Sequence, residues 1–171
     1  VNGCRFFLFR LVLGGVLLAL AGCDSSAPTD SSSTQTTTST QTPPSKPGWG
    51  TSYEQGQQEA KASKKLVLLD FTGSDWCGWC IMLDREVFSQ PQFKEYASKN
   101  LVLVEVDFPK RKHVPAAMKE QNERLLMRYQ VQGFPTIIVL NSEGKMVAEL
   151  GYMQGGPDAF IAVLEKLRNK G

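Results

Sequence analysis

Apolar and polar positions follow two rhythms along this chain, and from about residue 50 onward they alternate between them. Leu66 to Phe71 holds five apolar residues among six, too short and too aliphatic for a helix, and predicts a buried strand. Thr72, Gly73, Ser74 and Asp75 break that strand and turn the chain. From Cys80, the residues Ile81, Leu83, Val87 and Phe88 fall largely at helical spacing, with Asp84, Arg85 and Glu86 between them. Upstream, Thr51 or Ser52 can cap a helix running to about Lys64, where Lys61, Lys64 and Lys65 suit the negative end of its dipole. Downstream, Ser89-Gln90-Pro91 interrupts, and a second helical piece runs to about Ser98. Leu101 to Asp107 is the next buried strand, and Pro115 opens the first turn of a helix that carries Met118, Leu125, Leu126 and Tyr129 toward the core.

Thr136 to Leu140 is a strand, Asn141-Ser142-Glu143-Gly144 is a hairpin turn, and Lys145 to Leu150 returns antiparallel. Asp158 to Lys170 closes as an amphipathic helix with Phe160, Ile161, Leu164 and Leu167 on one face. Strands alternating with helices and ending in a hairpin predict an α/β domain, a central mixed β-sheet flanked by helices on both faces.

The N-terminus is different. Arg5 and Arg10 precede an apolar run from Leu11 to Ala21, the pattern of a signal peptide and too short for a membrane span. The run ends Leu20-Ala21-Gly22-Cys23, which resembles the bacterial lipobox. That resemblance implies a signal peptide over 1–22, acylation of Cys23 and a bacterial envelope location facing the periplasm. Asp24 resembles the signal for staying on the inner membrane. Residues 24–47 are Ser, Thr, Gln and Pro with almost nothing apolar and cannot offset the entropy of ordering. As a flexible tether these 24 residues would span about 27 Å. Residues 48–171 are then one domain of ordinary size.

Charge excludes one function class. The chain has 19 Lys and Arg against 17 Asp and Glu, and Arg5 and Arg10 account for the excess, so no basic patch argues for nucleic acid. Lys110, Arg111, Lys112 and His113 form one basic loop, read as solvent-exposed rather than as a steering element for an acidic partner. His113 is the single histidine and has no evident partner.

Of four cysteines, Cys4 falls in the signal and Cys23 is assigned to lipid, leaving Cys77 and Cys80 as thiols. They sit at a strand-to-helix corner, where unpaired backbone N–H groups and the helix dipole lower a thiol pKa from about 8.5 toward about 3.5–7.5. Cys77, nearer the loop, is expected to be the exposed nucleophile. Cys80, three residues on, is placed to attack a mixed disulfide at Cys77. The same spacing is half a zinc site, but no second pair completes it, so no metal is expected.

Trp76-Cys77-Gly78-Trp79-Cys80 after a strand carrying Asp70-Phe71, with Gly133-Phe134-Pro135-Thr136 before a later strand, resembles the thioredoxin superfamily. The run Leu83 to Pro91 makes it similar to the bacterial periplasmic thioredoxin-like proteins that include the C-terminal reductase domain of DsbD. The resemblance covers about Trp49 to Lys170 and implies a thioredoxin fold. It also implies a cis Pro135 facing the dithiol, with Phe134, Trp76 and Trp79 lining the substrate contact. Asp70, a carboxylate in an apolar strand, matches the family's buried aspartate, which handles the proton of the second cysteine; the bland alternative is a strand-end Asp bonding a loop N–H. Three positions depart from the pattern: Trp79 replaces the usual proline or histidine, Ile81 replaces a common lysine, and the lysine that often faces the buried aspartate is replaced by an apolar residue near Leu103.

These residues point to a membrane-tethered thiol-disulfide oxidoreductase that reduces protein disulfides, fed by an upstream membrane thiol donor and needing no cofactor. Gly78 and Trp79 bring no charge to the thiolate, so the potential is expected nearer about −270 mV than the oxidant value of about −120 mV. Alternatives are a disulfide oxidase or isomerase on the same residues, a redox-inert adaptor with a buried dithiol, or a copper-binding assembly factor. The last wants a longer cysteine spacing and a placed histidine.

Overall fold

The computed structural model describes residues 46–169. Its elements in chain order are α1 (Tyr53–Ser63), β1 (Leu66–Thr72), α2 (Gly78–Leu83), a π-helical turn (Asp84–Phe88) and α3 (Pro91–Asn100). Then follow β2 (Leu101–Asp107), α4 (Ala116–Arg128), β3 (Thr136–Leu140), β4 (Met146–Leu150) and α5 (Gly156–Arg168). The sheet order is β2-β1-β3-β4, with β1 parallel to β2 and antiparallel to β3, and β3 antiparallel to β4. This is the mixed sheet the apolar pattern predicts.

The pleat decides what each strand residue faces, because successive side chains point to opposite sides. Val67, Leu69 and Phe71 of β1 join Val102, Val104 and Val106 of β2 in a core that includes Ala60 and Leu125, from α1 and α4. Leu66 and Leu68 join Leu83, Phe88, Phe93 and Phe160, from α2, the π turn, α3 and α5. Asp70 continues the second series, as Glu105 continues the series of Leu101 and Leu103 in β2. Two acidic residues therefore lie on the sheet face beneath the helix that carries the dithiol.

Local chemistry explains most boundaries. Ser52 caps α1, its side chain accepting from the Gln55 N–H at 3.3 Å, and Lys64 ends the helix in the left-handed region. α5 starts at Gly156, two residues ahead of the expected Asp158, because Pro157 can occupy the first turn. Pro115 precedes α4 as its cap residue instead of lying inside it. The π turn is a local widening of the dithiol helix that periodicity alone does not distinguish from regular helix.

The chain entering the domain is also built in. Gly50 bridges the outer edge of β2, donating to Leu103 O and accepting from Glu105 N, each at 2.8 Å. Trp49 is buried, its ring 5.1 Å from that of Phe88. These contacts fix the path of Lys46, four residues earlier.

Candidate active site

β1 delivers the chain to the site and a tight turn redirects it. Gly73 O accepts from Trp76 N at 3.1 Å and Cys77 N at 2.8 Å. A Cβ on Gly73 would meet the Trp76 indole at 2.5 Å, so only glycine lets the ring lie against this turn. Cys77 is the N-cap of α2, its sulfur accepting from the Cys80 N–H at 3.2 Å. A thiolate there receives the backbone donor that the helix start leaves unpaired. The two cysteines are joined as a disulfide, so the structure holds the oxidised form. Cys77 is 7% exposed and Cys80 5%, so the expectation of an exposed Cys77 is corrected: in the oxidised form both cysteines are buried to nearly the same extent.

The two cysteines differ instead in what they face. Cys77 lines a groove of about 390 Å³ with Trp76, Leu126, Val131, Gly133 and Phe134. The Phe134–Pro135 peptide is cis. The Trp76 and Phe134 rings meet edge-on at 6.0 Å, Phe108 stacks on Phe134 at 5.2 Å, and the Trp76 indole N–H donates to Phe108 O at 2.7 Å. Cys80 lines a second, polar cavity of about 260 Å³ with Lys46, Ser74, Asp84, Glu105 and Lys112. Trp79 is 58% exposed, its ring 5.2 Å from Tyr152, whose hydroxyl donates to Glu86 in the π turn at 2.7 Å.

Beneath Cys80, one ammonium serves three carboxylates. Lys46 Nζ donates to Asp70 Oδ2 and lies 3.8 Å from Glu105 and 3.9 Å from Asp84. Its charge also sits 4.0 Å above the Trp49 ring, a cation–π contact that helps retain it. Burial pushes the Asp70 pKa above its usual value, since the desolvation of the carboxylate outweighs the pull of Lys46 downward. Its other oxygen, Oδ1, is buried without a hydrogen-bond partner among the described residues. Asp70 is thus suited to hold a proton.

A thioredoxin-like domain model matches residues 53–168, most of the described chain. The chain belongs to the thioredoxin-like family. Within the family it is 38% identical over 111 residues to the disulfide bond reductase DsbH of Chlamydia pneumoniae, covering 65% of this chain and 67% of that protein. It is 31% identical over 123 residues to the thiol:disulfide interchange protein DsbD of Pasteurella multocida, covering 70% of this chain but only 19% of DsbD. Among solved structures, a DsbH oxidoreductase superposes with a TM-score of 0.66 at 32% identity, covering 74% of this chain and 92% of that one. The oxidised DsbD C-terminal domain of Neisseria meningitidis, at 22% identity and a TM-score of 0.52, covers 69% of this chain and 97% of that one and shares the fold. With a Cys-x-x-Cys pair in the dithiol position, this thioredoxin-like protein is a thiol-disulfide oxidoreductase.

The thioredoxin-like site differs from the sequence expectation in its cation. Asp70 is in register with Glu105, not Leu103, so β2 sets a second acid beside it. The lysine comes from residue 46, which composition assigns to the polar tether. Glu105 carries the same signal as Asp70, an acid inside an apolar strand, and could have been singled out on that ground. Tyr152, beside Trp79, has no such signal. His113 is exposed and lines neither cysteine's cavity. Cys23 lies outside the described residues.

Proposed function

We propose that the protein is a reductase of protein disulfides, with the Cys77 groove as the substrate side and the Cys80 cavity as the proton side. The observation that carries this reading is the separation of the two sulfurs between an aromatic groove and a carboxylate-lined cavity. In the reducing direction the Cys77 thiolate attacks one sulfur of a substrate disulfide. A Cys77–substrate disulfide forms and the other substrate sulfur leaves as a thiolate that takes up a proton. Cys80 then gives its proton to Asp70, through the cavity that both Cys80 and the Asp70-bound Lys46 line, and attacks the Cys77 sulfur. The second substrate sulfur leaves as a thiolate and takes up a proton, and Asp70 returns the proton of Cys80 to solvent. The substrate gains two electrons and two protons, the enzyme is left as the Cys77–Cys80 disulfide, and a dithiol donor restores it.

The direction is supported by Gly78 and Trp79, which place no positive charge beside the Cys77 thiolate, and by likeness to a relative named a disulfide bond reductase. Phe134 and Pro135 are the backbone against which an extended substrate segment pairs, with Trp76 and Trp79 flanking it. A lipid on Cys23, followed by the polar stretch to Pro47, tethers the protein to an envelope membrane on its periplasmic side. Asp24 favours the inner membrane, and the donor is a membrane thiol carrier.

The test is the reduction potential of the full chain, read by equilibration with glutathione buffers and counting of free thiols. A value near about −270 mV is expected, and one above about −180 mV would make the protein an isomerase or oxidase.

A further inference from the structure

The basic loop between β2 and α4 is bolted onto the dithiol loop. Both oxygens of the Asp75 carboxylate accept from the loop backbone, from Lys110 N at 2.9 Å and Arg111 N at 2.7 Å. Those N–H donors hold the Asp75 pKa below its usual value, so the anchor stays ionised. Ser74 donates to Asp107 through its N–H and its hydroxyl, at 2.9 and 2.6 Å, and Lys112 Nζ reaches the Ser74 hydroxyl at 3.0 Å. Lys110 Nζ lies 4.0 Å above the Trp76 ring, and Trp76 walls the Cys77 groove.

Lys110 lies over an aromatic ring and Lys112 donates to a hydroxyl, contacts that leave both charges at the surface. Lys110, Arg111 and Lys112 are exposed, and none of them forms an ion pair among the described residues. The neighbouring acids are engaged elsewhere: Asp75 with backbone, Asp107 with Ser74, and Glu123 with Lys119 at 3.9 Å. Lys110 reaches the groove through the Trp76 ring, while Lys112 lines the neighbouring Cys80 cavity, so the loop carries three cations past both sulfurs and makes a local positive field beside the groove.

We infer that Lys110, Arg111 and Lys112 form an electrostatic rim of the Cys77 groove, and that the partner it fits is a protein with acidic residues flanking its disulfide. This rests on the groove being the substrate side. A partner with lysine or arginine beside its disulfide meets like charge at the same rim and is disfavoured.

The experiment measures exchange rates of the full chain with three synthetic peptides that differ only in four flanking residues, all Glu, all Gln or all Lys. Both directions are run, reduced protein with disulfide peptides and oxidised protein with dithiol peptides, so the charge ratio is read in whichever direction proceeds. Exchange only from the oxidised protein would refute the reductase reading while leaving the ratio measurable. At low salt the Glu peptide is expected to react about 10-fold faster than the Gln peptide, the low end of electrostatic steering, and the Lys peptide slower than both. At about 1 M salt, where the screening length is about 3 Å, the ratio should fall below about twofold. The triple variant K110Q/R111Q/K112Q should bring it to about one at low salt. The single variant Arg111→Gln, whose side chain makes no hydrogen bond in the loop, should lower it while leaving the backbone anchors in place. Equal rates for the three peptides at low salt, or a preference that survives high salt or the triple variant, would overturn the inference.

Discussion

Asp70 and Glu105 stand directly opposite each other on the parallel strands β1 and β2, both nearly fully buried and both on the face beneath the dithiol helix. Two like charges in that position destabilise a sheet unless one is neutralised, and burial favours the neutral form.

Replacing Asp70 with Asn is therefore expected to stabilise the protein at neutral pH. The folded Asp70 pKa lies above that of an ordinary aspartate, so between the two values the native state binds more protons than the unfolded one, and stability falls as pH rises. The Asn variant escapes that loss. A gain in urea melts at pH 8 is expected, shrinking as pH approaches the unfolded value, because Lys46 keeps Glu105 at 3.8 Å and Asp84 at 3.9 Å when Asp70 is neutral. A less stable Asn variant at pH 8 would mean that the ion pair with Lys46 outweighs desolvation. The same variant should release substrate more slowly from the Cys77 mixed disulfide.

Lys46→Met removes the ammonium that faces the acidic cluster. Losing one partner of a buried pair costs about 3 kcal/mol or more, and the loss should fade in acid as the carboxylates take up protons. Without Lys46 the Asp70 pKa rises further, so the pH profile of exchange should move upward. Lys46→Arg should restore both readouts in large part, and a profile unmoved by Lys46→Met would remove Lys46 from the proton path.

The fold was legible in the sequence where apolar runs were dense: Leu101–Asp107 and Thr136–Leu140 follow from composition and length alone, as does Leu66–Phe71, which the structure extends to Thr72 although that residue reads as a breaker. The dithiol and Asp70 were legible because each breaks its local pattern, whereas the Phe134-Pro135 corner was marked only by the family resemblance, a proline before a strand being by itself punctuation. Lys46 was not, since it lies among polar residues and its partner is 24 positions away, brought to it by the Gly50 bridge and the Trp49 contact. The basic loop was visible, but its place was not. Only the folded chain sets Asp75 beneath the Lys110 and Arg111 N–H groups.

Within the dithiol, the N-cap position gives the Cys77 sulfur the backbone N–H donor that stabilises a thiolate, so Cys77 is expected to be the more reactive thiol. In reduced protein, iodoacetamide should label Cys77 at about pH 6–7, inside the range of activated thiols, while Cys80 lags toward the ordinary thiol value of about 8.5. Peptide mapping by mass spectrometry reads the order. Faster labelling of Cys80 would reverse the two roles.

Cys23→Ser should move the protein from the membrane fraction to the soluble fraction and remove the acyl mass from it, since multiple acyl chains anchor stably where one does not. Equal membrane partition of the variant would refute the lipid anchor.

The cation of the acidic cluster is delivered by the first few residues of the described chain, not by the sheet. A pull from the N-terminal side reaches Lys46 first, then Trp49 and the single bridge at Gly50, and only then the paired strands. The ion pair beneath Cys80 is thus the first contact that such a pull loads. Were the proposed lipid on Cys23 to hold the chain from its N-terminal side, a pull would reach Lys46 before any paired strand, and the proton affinity of Asp70 would be the first property to change.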